Sequence, residues 1–240
     1  MIKDKQNQNL IFGRNPVKEA LRANRVNKVF ITNAFSDKEI NLLLQEKQPY
    51  IRIVSNNELD QKVNGVHQGI VAEIKPYEYL DFDEILRRSR KVEVPIIVIL
   101  DGINDTHNLG AILRSCDVFN VSGILIPKHN QVPLNATVAK SSAGAINYVP
   151  VAQINSMQNA IQKLKDNGFW IVSTDGSAII DYNQIKYDFP VALVIGSEGK
   201  GVSQLVIKNS DYVVKIPQYG HVNSLNASVA AGILLAKIRN

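Results

Sequence analysis

The chain has 240 residues, 45% of them hydrophobic, and its 27 Lys and Arg outnumber 22 Asp and Glu to give a formal charge of +5 at pH 7. That length buries one large core or two modest ones, and no window approaches the roughly 18 uninterrupted apolar residues of a membrane span. The single cysteine, Cys116, excludes an intrachain disulfide, the polar segment from Met1 to Asn9 has no apolar stretch resembling a signal sequence, and a cytoplasmic protein with a polyanionic partner is expected.

From Leu10 to Lys75, apolar runs alternate with helical patterns. Residues 28–32, 51–54 and 69–74 read as strands, with helices near 37–46 and 56–62. This small α/β unit ends at Lys75-Pro76, where the proline disfavours helix before it. The stretch 76–94, acidic and then basic, reads as a linker or connecting helix, and Arg87, Arg88, Arg90 and Lys91 within it as a solvated helix end.

From Pro95 onward the strands lengthen and become continuously apolar: residues 96–100, 123–126, 170–173 and 191–195. Such runs belong to a parallel sheet covered on both faces. The expected organisation is therefore 1–75 as a front domain, 76–94 as connection and 95–240 as a second domain. Ligands of open α/β sheets collect beyond the carboxyl ends of the strands, so the loops there are where chemistry is to be sought.

Three loops stand out. The first runs from Asp101 through Asn108 and Gly110 into a helix bearing Arg114. The second reads Gly196-Ser197-Glu198-Gly199-Lys200-Gly201, which matches neither a P-loop nor G-x-G-x-x-G. The third runs from Ile216-Pro217 to Asn223-Ser224-Leu225-Asn226, where Ser224 or Asn226 would cap the apolar helix 227–237. Taken singly, each also reads as an ordinary turn before a capped helix.

In order and spacing, the three loops together resemble the three motifs of the SpoU/TrmH branch of the SPOUT RNA methyltransferases. Upstream, Phe12-Gly13-Arg14-Asn15-Pro16-Val17 and His67-Gln68-Gly69 look like the substrate-binding domain of the longer members. The resemblance thus covers nearly the whole chain. Within the family it points to members that methylate a guanosine ribose in 23S ribosomal RNA, because tRNA-directed members generally lack the front domain.

The resemblance implies an α/β fold with a knotted (trefoil) parallel-sheet catalytic domain behind a small domain like ribosomal protein L30e. It implies a homodimer that transfers a methyl group from S-adenosylmethionine to an RNA 2′-hydroxyl. Cofactor contacts would fall at Thr174, Gly196, Ile216, Leu225 and Asn226, largely through backbone groups. Asn108, Arg114, Glu198, Ser224 and Asn226 would form the catalytic set. A guanidinium is a poor proton acceptor at neutral pH, so Arg114 fits stabilisation of a developing alkoxide, or an adjoining phosphate, better than a base. Arg14, Lys18, Arg22, Arg25 and Lys28 are the candidate RNA phosphate contacts of the front domain.

No metal is expected, since His67, His107, His129 and His221 share no ligand spacing with one another or with Cys116. Cys116 reads as a buried structural thiol. Two alternatives stay open: methylation of tRNA or of another ribosomal RNA position, and a non-catalytic RNA-binding assembly factor built on the same fold.

Overall fold

The structure is a computed structural model that describes residues 9–221 and 224–240. Its contacts divide the chain into two compact units. One contains the described residues up to Glu78 together with Pro133–Tyr148, and the other contains Tyr79–Val132 and Val149–Asn240.

The first unit is a four-stranded sheet ordered β1 (Leu10–Phe12), β4 (Ile70–Ile74), β2 (Val26–Ile31) and β3 (Tyr50–Ile53). Strand β4 runs antiparallel to both β1 and β2, and the edge strand β3 runs parallel to β2. Helices α1 (Arg14–Arg22), α2 (Lys38–Lys47) and α3 (Asn56–Lys62) complete it. Two of the helix starts are chemically explicit: Asp37 accepts from the Ile40 amide at 3.1 Å and Ser55 from the Glu58 amide at 3.2 Å, each satisfying a donor left over in the first turn. Phe30, Val54, Leu59 and Val71 form an apolar cluster, with Leu10, Phe12 and Val63 packed on it.

Pro133–Tyr148, with its short helix α6 (Ala136–Ser141), groups with this first unit. The Tyr148 hydroxyl donates to Glu19 at 3.1 Å and the Lys140 ammonium lies 4.6 Å from the Phe12 ring centroid. In sequence these residues fall inside the expected domain 95–240; the contacts that draw them to α1 and β1 are tertiary and leave no local pattern.

The second unit is a seven-stranded sheet ordered β7 (Val151–Ile154), β6 (Gly123–Pro127), β5 (Ile96–Asp101), β10 (Val191–Gly196), β8 (Trp170–Thr174), β11 (Tyr212–Lys215) and β9 (Ile180–Asp181), in which every pairing is parallel. Its central strands are buried along their length, as their unbroken apolar sequences require. Helices α4 (Phe82–Ser89), α5 (Thr106–Val118), α7 (Met157–Asp166), α8 (Gln204–Asn209) and α9 (Ala227–Arg239) accompany it.

Most of the expected connection 76–94 is built into this unit. The Leu80 amide donates to Val151 at 2.8 Å, and α4 buries Ile85 and Leu86 in the core that holds Ile97, Ile99 and Leu125. Arg87 and Arg88 at the end of α4 are exposed and paired with Glu84. No helix among the described residues is long and apolar enough to cross a membrane.

Candidate functional site

Strand order explains why distant segments meet. Because β5, β10, β8 and β11 are successive neighbours and all parallel, their carboxyl ends lie side by side. The loops after them therefore form one continuous rim, where ligands of such sheets bind.

Two clefts open on that rim. One, of about 290 Å³, is lined by Thr174, Asp175, Gly196, Ile216, Ser224 and Leu225, among others. The other, of about 860 Å³, is lined by Asp101, Asn104, Asp105, Asn108, Asn130 and Ser203, among others. Glu198 lines both.

The loop after β10 is shaped by glycine. The Gly201 amide donates to the Ser197 carbonyl at 2.8 Å, folding the chain back on itself. A Cβ on Gly196 would lie 2.1 Å from the Gly201 carbonyl carbon, so only glycine admits this turn. Asp101, at the end of β5, anchors the far side of the loop by accepting from the Ser203 amide at 2.8 Å.

A triangle of side chains ties the three loops together. Asn226 caps α9: its Oδ1 accepts from the amides of Ser228 at 2.9 Å and Val229 at 3.3 Å. That leaves its Nδ2 to donate to Asn108 Oδ1 at 2.8 Å and to Glu198 Oε1. Asn108 in turn donates through Nδ2 to Glu198 Oε1 at 2.9 Å. One carboxylate oxygen thus receives two amide donors, which fixes the Glu198 side chain where the clefts meet.

Of the expected residues, Thr174, Gly196, Ile216, Leu225 and Ser224 line the smaller cleft, Asn108 lines the larger, and Asn226 connects Asn108 to Glu198. Asn223 lies outside the described residues. Arg114 is not brought to this cluster. It projects from α5 as an exposed side chain and lines neither cleft, since six residues of helix turn it roughly 120° away from Asn108.

The front-unit cations have partners of their own. Arg14 lies 3.7 Å from Asp37, Lys18 lies 2.7 Å from Glu39, and Arg22 contacts both Glu19 and Glu39. Arg25 donates to the carbonyls of Lys75 and Pro76 and stacks 4.5 Å from the Tyr77 ring centroid. Lys28 lies against the rings of Phe30 and Tyr50.

Sequence reasoning passed over Asp175. The Ser177 hydroxyl at 2.6 Å and amide at 2.8 Å hold its carboxyl below the usual carboxylate range, so it stays ionised at the mouth of the smaller cleft. A carboxylate directly after a sheet strand is the only signal that could have found it. Cys116 is fully buried, and burial pushes its thiol up, so it is inert as a nucleophile. No group of three or more His, Cys, Asp and Glu among the described residues could hold a metal.

Comparison with known proteins matches residues 95–236 to the SpoU rRNA Methylase family and residues 10–80 to the family described as RNA 2'-O ribose methyltransferase substrate binding. The chain is 43% identical to a TrmH family relative from Staphylococcus aureus (strain MSSA476) over 234 residues, 95% of this chain and 94% of the relative. Among solved structures, an rRNA methyltransferase from Sinorhizobium meliloti with AdoMet bound superimposes with a TM-score of 0.82 at 23% identity, covering 99% of this chain and 88% of that one. The SpoU methyltransferase AviRb from Streptomyces viridochromogenes, in complex with AdoMet, gives 0.80 at 22% identity, covering 99% and 91%. At those identities the structures speak for the fold alone, whereas the matched family model spans more than half of the chain. The chain belongs to the SpoU methylase family.

Proposed function

We propose that this chain transfers a methyl group from S-adenosylmethionine to a ribose 2′-hydroxyl of RNA, with a guanosine of 23S ribosomal RNA as the target. The observation that carries the reading is the position of Glu198: it lines two adjoining clefts and is held there by Asn108 and Asn226. A transfer reaction needs a donor pocket and an acceptor pocket that share a wall.

The smaller cleft fits the donor. Ile195, Val214, Ile216 and Leu225 offer apolar surface for a purine, Thr174 and Asp175 offer polar groups for ribose hydroxyls, and Gly196 lets a ligand approach the main chain. When bound, the cofactor supplies an electrophilic methyl group on a sulfonium. In the larger cleft, Glu198 and Asn108 orient the ribose so that its oxygen lines up with that methyl, and alignment of this kind is worth on the order of 7 to 11 kcal/mol in favourable cases.

Arg114 supplies positive charge to the reacting oxygen or to a neighbouring phosphate. It is exposed and has no acidic partner among the described residues, and in the homodimer that the family resemblance implies it serves RNA bound at the partner's clefts. The same resemblance supports threading of the C-terminal segment into a trefoil knot, and the polar segment 1–9 with the single cysteine supports action in the cytoplasm.

The staphylococcal relatives carry both tRNA and rRNA in their names, so the acceptor is tested with both. Purified protein is incubated with tritiated cofactor and separate pools of 23S RNA, 16S RNA and tRNA. Label in 23S RNA is the expected result. Cofactor uptake with no label in any pool would favour the non-catalytic assembly factor instead.

A further inference from the structure

We propose that the front unit grips unpaired RNA at the exposed β3 edge of its sheet, beside α3, with Tyr50 as a stacking platform and Lys28, Arg52 and Lys62 as phosphate contacts. The cations of α1 are not the gripping surface. The proposal rests on the methyl-transfer reading only for the nature of the ligand as RNA.

The edge strand β3 is exposed at all four residues. In register, Tyr50 pairs with Lys28 and Arg52 with Phe30, so these four side chains share one face. Tyr50 is 65% exposed, which is unusual for an aromatic ring in a strand. The Lys28 ammonium sits between two rings, 5.0 Å from the Tyr50 centroid and 4.9 Å from that of Phe30, and Lys62 from α3 lies 4.5 Å from Phe30.

Charge decides between the two faces of the unit. Lys18 and Arg22 on α1 converge on Glu39, with Glu19 also against Arg22, so their charge is internally neutralised. At the β3 edge, Arg52 and Lys62 share one carboxylate, Glu58, at 3.2 and 3.8 Å. Lys28 makes no ion pair among the described residues: although Glu73 is its register partner on β4, the ammonium lies against the rings of Phe30 and Tyr50. An exposed ring flanked by under-compensated cations is the arrangement that holds single-stranded nucleic acid: bases stack on the ring and phosphates meet the ammonium groups. The match of residues 10–80 to a substrate-binding family locates the partner in the same unit.

The test measures the affinity of the full chain for a fluorescent, unpaired RNA of ~12 nucleotides by anisotropy. Tyr50→Ala is expected to weaken binding about tenfold, the scale of losing one stacked base, and Tyr50→Phe to stay within about twofold because the ring remains. Lys28→Ala with Lys62→Ala should lower the salt dependence by about one to two released ions, whereas Lys18→Ala with Arg22→Ala should leave affinity near wild type. Wild-type affinity in Tyr50→Ala, a loss confined to the α1 pair, or no RNA binding by the wild type would overturn the proposal. So would a Tyr50→Ala effect on sedimentation alone, which would make β3 a protein contact. Methyl transfer by the wild type, measured in parallel, reports on the functional reading separately: its absence refutes that reading whatever the RNA affinities show.

Discussion

The Asn226 side-chain amide donates to the Asn108 side-chain carbonyl at 2.8 Å across a sequence separation of 118 residues. The α9 cap leaves the Asn226 amide only one orientation, because its oxygen is already taken by the Ser228 and Val229 amides. Asn226→Asp therefore separates the two roles: it keeps the cap and replaces the donor with a second carboxylate against Glu198, an unfavourable pairing of like charges. Because the cap is kept, the lost donor and the like-charge contact should lower the melting temperature by only about 2 to 4 °C, the scale of ~1 kcal/mol, while methyl transfer falls roughly 100-fold, the scale of a misplaced reacting group. Equal turnover in a folded variant would remove the triangle from the mechanism.

Gly196→Ala is expected to abolish measurable cofactor binding by calorimetry. The new methyl would overlap the main chain of Gly201 and Val202, and backbone cannot yield as a side-chain tip can. The loop must open, and the smaller cleft loses one wall. Retained affinity would show that this cleft is not the donor pocket.

Arg114→Ala should leave cofactor affinity unchanged, since Arg114 does not line the smaller cleft, proposed above as the donor pocket, and should lower turnover by roughly 100-fold or more through lost transition-state charge. Mixing Arg114→Ala with Asn108→Ala protein is expected to restore part of the activity if the guanidinium serves the partner's clefts. Restoration to nothing, with both variants dimeric, would place Arg114 within its own chain's site.

Arg239, near the chain's C-terminus, donates to the carbonyls of Phe119 at 2.9 Å, Val94 at 3.2 Å and Asn120 at 2.9 Å, fastening α9 to the end of α5 and the start of β5. Arg239→Ala leaves those carbonyls short of partners and should cost about 2 to 3 kcal/mol. For a chain of this size that is a fall of about 4 to 12 °C in melting temperature. A calorimetric scan showing no change would mean that water satisfies the carbonyls equally well.

Tyr77 gives a pH dependence with a definite sign. Burial pushes its phenol up to about 12, with Arg25 pulling partly the other way. Below about pH 10 the phenol is neutral in folded and unfolded chains alike; above it, the unfolded chain ionises first, and stability falls by about 1.4 kcal/mol per pH unit until the folded phenol also ionises near its own value. Tyr77→Phe should remove that part of the alkaline decline, and because the buried hydroxyl has no hydrogen-bond partner among the described residues it should also stabilise the protein at pH 7 by up to about 1 kcal/mol. Denaturant titrations at pH 8 and 11 check both; an identical decline in the variant would contradict the assignment.

How much of this the sequence disclosed depends on whether the controlling interaction is local. The buried strands β5, β6, β8 and β10 were readable because unbroken runs such as Ile96 to Leu100 have no other economical placement than a covered parallel sheet. The same holds for α3 and α9, whose caps Ser55 and Asn226 lie beside them in sequence. Strand β7, four residues at the edge of the larger sheet, and the three-residue β1 carry too few residues for a period to show. The grouping of Pro133–Tyr148 with the front unit, and the neutralisation of Lys18 and Arg22 by Glu39 from another helix, are tertiary facts that no spacing encodes. At the site, motif order singled out Asn108, Glu198 and Asn226, and the sheet order brings them together. Arg114 followed the same motif, yet its helical phase turns it away from them in a single chain.

The most direct measurement is alkaline hydrolysis of RNA that the purified chain has labelled from tritiated-methyl cofactor. A 2′-O-methyl group removes the nucleophile that cleaves the adjoining phosphodiester, so label is expected in alkali-stable dinucleotides with the methyl on ribose. Label recovered in mononucleotides, with the methyl on the base, would contradict it.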